Sequence, residues 1–136
     1  MRRAAVVVAL VLLSGCMAPA GEERTGCGAE WRQVEAIAAT GTGVDEQSLP
    51  IECIHQIANR RVRVGFVLPA GPSCHVLRRV ELAESADAVS ITLVGAVHDD
   101  PGAGACPEQE RQVVTEVDLA APVGDRVLMD GSTASE

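Results

Sequence analysis

The chain has 136 residues, of which 47% are hydrophobic and 22% charged, and its formal net charge at pH 7 is −8. This length fits one domain with a single modest core and argues against a second domain. Nucleic-acid binders neutralise phosphates with clustered lysine and arginine, but this chain has no lysine and only short arginine groups, so we expect no nucleic-acid partner. Trp31 and Phe66 are the only aromatic residues, too few to stack bases or sugars.

The first fifteen residues have the order of a secretion signal. Two arginines follow Met1, residues 4–13 are an unbroken apolar run, and small residues precede Cys16. The run is only about half as long as a membrane-spanning helix requires. The tetrapeptide Leu-Ser-Gly-Cys that ends at Cys16 resembles the lipobox of bacterial lipoproteins, which implies a diacylglyceryl group on the cysteine sulfur and cleavage in front of it. We therefore expect a signal peptide over residues 1–15 and lipidation of Cys16.

A lipid on Cys16 would hold the protein on the extracytoplasmic face of the cell membrane. Residues 16–26 have the composition of a linker and are expected to form a lipidated tether with a reach of about 35 Å when extended. Cleavage would remove two arginines and leave nine arginines against nineteen acids, a net charge of −10. That acidity should keep the domain off an anionic lipid surface.

Residues 30–39 carry the first periodic pattern of the exported domain. Trp31, Val34, Ile37 and Ala38 have the spacing of one helical face, and Thr40-Gly41 follows. This spacing predicts one short helix, with a strand as the alternative.

The rest of the chain alternates with the period of β-strands. Residues 52–57 form a weak strand candidate, and residues 61–68 a clear one with one buried face. Residues 74–82 and 89–97 alternate on either side of a short polar connection, which predicts a hairpin. Arg78 interrupts the inward row of the first of these strands. The side chains predicted to face inward on these three strands are Val62, Val64, Phe66, Leu68, Cys74, Val76, Val80, Leu82, Val89, Ile91, Leu93, Gly95 and Val97.

Two further strands are expected near the end of the chain. Residues 113–119 alternate, with Val113, Thr115, Val117 and Leu119 on one face, and residues 126–129 form a last short strand. Together these patterns predict a mainly β domain over residues 27–131: a small antiparallel sheet or sandwich of five or six strands with one short N-terminal helix. The polar residues 132–136 are expected to be a disordered tail.

Four cysteines remain besides Cys16, an even number in a chain predicted to reach an oxidising compartment, so two disulfides are expected. The antiparallel hairpin would bring the loop that contains Cys106 back beside Cys74, which favours a Cys74–Cys106 bridge. The pairing of Cys27 with Cys53 then follows by elimination. No cysteine or histidine pair has the spacing typical of a zinc site.

Other candidate reactive groups have simpler structural interpretations. His98, Asp99 and Asp100, joined by His55 or His75, offer metal ligands only if the fold gathers them, and the Asp-Asp-Pro-Gly sequence is typical of a turn. Glu116 and Asp118 alternate onto the solvent side of their strand, and Arg126 lies in turn-like sequence. We predict no catalytic residue, metal or cofactor.

The second half of the chain resembles a recurrent type of small bacterial lipoprotein or secreted domain that has no assigned activity. The matching segments are Cys74-His75-x-Leu77, Val80-Glu81-Leu82-x-Glu84, Val89-Ser90-Ile91-Thr92-Leu93, Ala105-Cys106, Pro122-Val123-Gly124-Asp125-Arg126 and Asp130-Gly131. Val123 stands where the resemblance leads us to expect leucine. The resemblance implies a β-rich fold and an envelope location, and it implies no chemistry.

We therefore expect a membrane-anchored, non-enzymatic binding or interaction module whose partner is an envelope protein or a small ligand. One alternative is an envelope hydrolase or metal-dependent enzyme with an unrecognised site. Another is a passive accessory subunit of an envelope complex. An enzyme would need convergent polar groups in a pocket, whereas a binding module would need a contiguous apolar surface.

Overall fold

A computed structural model describes residues 26–69, 74–99 and 109–133 of the chain. Over these ranges the backbone forms seven β-strands and two single 3-10 turns, Ala29–Trp31 and Gly131–Thr133. No helix in the described ranges is long and apolar enough to cross a membrane. The strands are β1 (Val44–Leu49), β2 (Ile51–Ala58), β3 (Arg61–Leu68), β4 (His75–Glu84), β5 (Ala88–Val97), β6 (Arg111–Asp118) and β7 (Val127–Asp130).

The strands form two sheets that enclose one main apolar core. Sheet A has the order β2-β3-β6 and is antiparallel throughout. In sheet B, β5 is the central strand. It pairs with β4 along one of its edges, and with β1 and β7 along different parts of the other edge. The β5–β7 pair is parallel, and every other strand pair is antiparallel. The predicted mainly β fold, a small antiparallel sheet or sandwich, is confirmed in its main features: the strands form two sheets that are antiparallel except for the β5–β7 pair, and there is one more strand than the five or six expected.

One extended segment passes from sheet B to sheet A at Pro50. Leu49 pairs with Leu93 of β5, and Ile51 pairs with Phe66 of β3. Proline has no N–H to donate to a ladder, so the change of partner falls at a residue that needs no sheet hydrogen bond. Leu49 and Ile51 are both buried in the core, and this crossing closes one side of the sandwich.

The alternation of β3, β5 and β6 places one face of each strand in the core, as the sequence predicted. Burial of these side chains removes apolar area from water at about 25 cal/mol per Å², which is the main favourable term in such a fold. The buried side chains of the three strands include Val62, Val64, Phe66, Leu68, Val89, Ile91, Leu93, Val113, Thr115 and Val117.

The inward row predicted for β4 is correct at Val80 but wrong before it, because Leu77 and not Val76 belongs to the core between the sheets. Leu77 pairs with Gly95 and Arg79 pairs with Val94, so Arg78 is an extra residue in a β-bulge. The bulge shifts the alternation by one residue: Leu77 is fully buried, Val80 packs against the core, and Leu82 is 39% exposed. Arg78 points its guanidinium at the main chain instead, and its Nη1 donates to Gly43 O at 2.6 Å.

The short helix predicted over residues 30–39 is also wrong. Only the 3-10 turn Ala29–Trp31 forms, and Ala36 then makes a parallel bridge to Val114 of β6. Trp31 belongs to a small apolar cluster on the outside of sheet A, whereas Ile37 packs against the core between the sheets. The two side chains therefore point to different layers, and their helical spacing does not describe one helix face.

The C-terminal strand β7 is observed over Val127–Asp130, one residue later than predicted, and a 3-10 turn follows it. Within that turn, the Ser132 N and Oγ donate to Asp130 Oδ1 at 2.9 and 2.6 Å. Hydrogen bonding thus continues past residue 131, the predicted end of the domain. The last three residues of the predicted tail, 134–136, lie outside the described ranges.

Candidate functional site

A groove between β2 and β7, which we call the β2–β7 groove, is the candidate binding site. Residues 54–56 of β2 form one wall, residues 127–128 of β7 form the other, and the turn at residues 123–126 closes one end. Its volume is about 300 Å³, which lies at the lower limit of small-molecule pockets. The site therefore has room for one or two side chains of a partner rather than for a large buried ligand.

The groove exists because β2 and β7 lie side by side without forming a ladder. In the described chain β2 pairs only with β3, and β7 pairs only with β5. Val127 N donates to Asp87 O at 3.0 Å, toward β5. Because alternate residues of a strand point their main-chain groups to opposite sides, those of Leu128 face the groove. The groove thus has a strand edge on each side, the arrangement to which an extended peptide can add.

Exposed apolar side chains gather at this groove. Among the described residues, five large apolar side chains are at least 39% exposed, and three of these lie on the groove strands. Val127, 45% exposed, lines the groove, while Ile57 and Met129 directly follow lining residues on β2 and β7. Val44 and Leu82 lie on other strands. Grouped apolar exposure of this kind marks interaction surfaces more often than scattered single residues do.

The closed end of the groove is made rigid by Arg126. Its guanidinium donates to Ala121 O and Pro122 O at 2.8 Å each, and it pairs with Glu84 at 3.0 Å. The N–H of Ala120, and secondly the Arg126 guanidinium, hold the pKa of Glu84 below its ordinary value of 4.5. Arg126 therefore has the turn-stabilising role that its sequence context indicated, and its charge is neutralised within the protein.

At the other end, Asp130 ties β7 to β2. Asp130 is only 7% exposed, and its Oδ2 accepts a hydrogen bond of 3.0 Å from Ile51 N, directly after the Pro50 crossing. Sequence reasoning placed Asp130 only in a turn. The missed signal is a single acid at the end of an apolar strand, whose partner lies 79 residues away in the sequence.

The predicted cysteine sites fall on both described and undescribed residues. Cys27 and Cys53 form a disulfide with a Cα–Cα distance of 5.0 Å, one of the two pairings that the sequence predicted. Cys74 is buried at the start of β4. Cys16, the predicted lipidation site, and Cys106, the predicted partner of Cys74, lie outside the described residues.

The histidines and aspartates considered as metal ligands are spread over the fold. His55 lies on β2 of sheet A, whereas His75 begins β4 of sheet B and pairs with Val97. The backbone N of His98 donates to Cys74 O at 2.8 Å, and Asp100 lies outside the described residues. No group of three His, Cys, Asp or Glu side chains within the described ranges is placed to hold a metal ion.

The carboxylates of β6 lie on the solvent side, as predicted. Glu116 pairs with Arg63 at 2.9 Å, and Asp118 pairs with Arg61 at 2.7 Å, across the β3–β6 ladder. The hydrogen bond that Arg61 donates to the Asp118 carboxylate raises the pKa of Arg61. These exposed ion pairs complete the outer face of sheet A and contribute little to stability individually.

In comparisons with known proteins, no protein-family model, no curated protein and no solved structure matches the chain.

Proposed function

We propose that this protein is an envelope lipoprotein, anchored through Cys16, whose β-domain binds a partner protein at the β2–β7 groove. The observation that carries the proposal is the groove itself: within the described residues β2 and β7 form no ladder with each other, exposed Val127 lines the groove, and exposed Ile57 and Met129 directly follow lining residues. An extended segment of the partner would add its main chain to an edge and place a small apolar side chain between Ile54 and Leu128.

Two features support an extracytoplasmic location. The lipobox-like sequence ending at Cys16 follows a positive start and a short apolar run. The Cys27–Cys53 disulfide begins eleven residues after Cys16, and such bridges persist mainly in oxidising compartments. The lipobox-like sequence and the disulfide thus both support an extracytoplasmic position for the same stretch of chain.

A second disulfide between Cys74 and Cys106 belongs to the same proposal. His98, the first residue after β5, donates its N–H to Cys74 O, so the chain leaves β5 beside this cysteine. Cys106 follows eight residues later, within easy reach of a return to Cys74. Peptide mapping of the unreduced protein should recover a Cys74–Cys106 linked peptide, and recovery of both cysteines as alkylated free thiols would refute this bridge.

Binding rather than catalysis is supported by how the polar groups of the groove are used. Arg126 is neutralised by Glu84 and by turn carbonyls, and the turn acid Asp125 is exposed. What the groove offers a ligand is therefore main-chain groups, the apolar side chains of Val127 and Leu128, and the side chains of His55 and Gln56, a combination that suits a peptide strand. A permanently bound accessory subunit would use the same surface with one fixed partner.

Site-specific photocrosslinking on intact cells tests the binding surface. A photoreactive amino acid at His55, in the groove, should capture a partner, whereas the same probe at Glu81, exposed on β4, should not. Equal capture at both positions, or at neither, would refute a binding role for the groove. A partner recovered in stoichiometric amount would identify the accessory-subunit form of the function.

The anchor is tested separately by intact-mass analysis of protein from membranes. The expected species begins at Cys16 and carries acyl chains, and a Cys16→Ala variant should be recovered unacylated in the soluble fraction. An unacylated chain that retains Met1 in the wild type would refute the lipoprotein proposal and leave the groove experiment valid.

A further inference from the structure

Residues 26–37, which we call the strap, cross the outside of sheet A as a separate layer. Trp31, Cys53 and Val114 form an apolar cluster of their own, distinct from the core between the sheets. The Trp31 indole can lie this close to sheet A because residue 65 is glycine. A Cβ at Gly65 would lie 2.6 Å from Cys53 Sγ and 2.8 Å from Trp31 Cε3. Most of the strap can therefore leave sheet A while the main core stays closed.

Among the described residues, few hydrogen bonds or ion pairs add to the disulfide and to the burial of Trp31 in holding the strap in place. Ile37 N donates to Val114 O at 2.8 Å, and Val114 N donates to Glu35 O at 3.0 Å. The ion pair between Glu35 and Arg111 is about half exposed on each side, so it adds little. The Cys27–Cys53 bond attaches the strap covalently to β2. We therefore expect release of the strap to depend on cleavage of this bond.

We propose that the strap is a redox-controlled latch, opened by a dithiol donor of the thiol–disulfide oxidoreductase class. Cys27 is half-buried whereas Cys53 is 6% exposed, so Cys27 is the more accessible half of the disulfide. A donor thiolate attacks Cys27 Sγ, the Cys27–Cys53 bond breaks, and Cys53 leaves as a thiolate that takes up a proton. The second donor thiol then attacks the mixed disulfide, which releases Cys27 as a thiol and leaves the donor oxidised.

Opening the latch would lengthen the tether, a consequence that rests on the proposed lipid anchor at Cys16. With the bridge closed, eleven residues join Cys16 to the domain at Cys27, a reach of about 40 Å. With the strap released, the first fixed residue is Ile37, and the reach rises to about 75 Å. Gly26, which lines the β2–β7 groove beside His55, would leave with the strap. Reduction of the Cys27–Cys53 disulfide would thus change both the distance of the domain from the membrane and the wall of the β2–β7 groove.

The latch is tested on the full-length protein in detergent micelles, titrated with dithiothreitol. Trp31 is the only tryptophan of the chain, so its emission reports the strap. Reduction should shift the emission to that of a solvent-exposed indole and lower the exchange protection of the Val114 amide, which donates to Glu35 O of the strap, about tenfold or more, while the β5 amides stay protected. Reoxidation should restore both signals. A buried indole after complete reduction of Cys27, or simultaneous exchange of the β5 amides, would overturn the proposal.

Two variants test whether release of the strap depends on the Cys27–Cys53 disulfide. Cys27→Ser should show the released state without reductant, while Glu35→Gln, which removes only the exposed ion pair, should keep Trp31 buried. If Cys27→Ser fails to fold, the reversible titration of the wild type still decides. A donor that lacks its second thiol should be trapped on Cys27, and trapping on Cys53 instead would refute the assigned order of attack.

The tether effect is read separately, by neutron reflectometry on supported bilayers carrying the lipidated protein. Reduction should extend the domain density beyond about 40 Å from the bilayer, and an unchanged profile after Trp31 is released would refute the lengthening. If no protein is retained on the bilayer, the anchor proposal fails, while the fluorescence and exchange results on the latch stand.

Discussion

Replacing Asp130 by alanine is expected to destabilise the domain by about 3 kcal/mol. The Asp130 carboxylate accepts hydrogen bonds from Ile51 N at 3.0 Å and from the N and Oγ of Ser132 at 2.9 and 2.6 Å. A hydrogen bond to a charged group contributes about 1.5–3 kcal/mol, and the half-buried Ser132 contacts add about 1 kcal/mol between them. For a domain of roughly 100 residues, 3 kcal/mol corresponds to a Tm lower by about 12–24 °C.

Urea unfolding followed by circular dichroism and by Trp31 fluorescence gives the free energy directly. Asp125→Ala, an exposed acid in the neighbouring turn, is the matched control and should change stability by less than about 0.5 kcal/mol. Asp130→Asn keeps one carbonyl oxygen for Ile51 N and should fall between the two. If Asp130→Ala is as stable as Asp125→Ala, Asp130 does not hold the two sheets together at the Pro50 crossing.

Three further outcomes are expected. Because the folded pKa of Glu84 is lowered, its stabilisation is complete above about pH 4.5 and is lost as the pH falls through the folded pKa; the stability difference between wild type and Glu84→Gln should therefore shrink in acid urea titrations, and a constant difference would contradict this. Phe66→Ala, at a fully buried position, should cost about 3–5 kcal/mol in the same unfolding assay, and a cost below about 1 kcal/mol would contradict its place in the core. Val127→Asp should abolish photocrosslinking at His55 with a Tm change of no more than a few degrees, whereas undiminished crosslinking would show that the partner does not contact β7.

The central strands could be predicted because burial on one face imposes a period of two. Phe66 on β3, Ile91 on β5 and Val113 on β6 are each at 0% exposure, and their neighbours along the strand are polar or smaller, apart from Val114, which packs against Trp31. Wherever a strand has one face in the core, its sequence reports that fact directly. The hairpin between β4 and β5 was predictable for the same reason, together with its polar connection.

The edge strand β1 could not be predicted in this way. Its first five residues are exposed, and Leu49 is the only buried one, so the sequence Val-Asp-Glu-Gln-Ser-Leu shows no alternation. A ladder with β5 holds β1 in place. Because this ladder joins main-chain groups, it requires no particular pattern of side chains in the sequence of β1. The parallel pairing of β7 is equally invisible, because it joins residues about 40 positions apart.

The candidate site was not predictable as a set. The β2–β7 groove is made by the absence of pairing between two strands that lie more than 60 residues apart in the sequence. No spacing along the chain records that absence. By contrast, the lipobox-like segment is local and can be read from adjacent residues, which is why the expected location is more specific than the expected function.

The hydrogen bond between β7 and β2 also bears on the time at which the protein can fold. Ile51 and Asp130 are 79 residues apart, and loop closure over such separations makes folding slow. A ribosome or a translocation channel must therefore release nearly the whole polypeptide before the sandwich can close. If the chain is exported, as proposed, this delay would keep the polypeptide unfolded until export is finished.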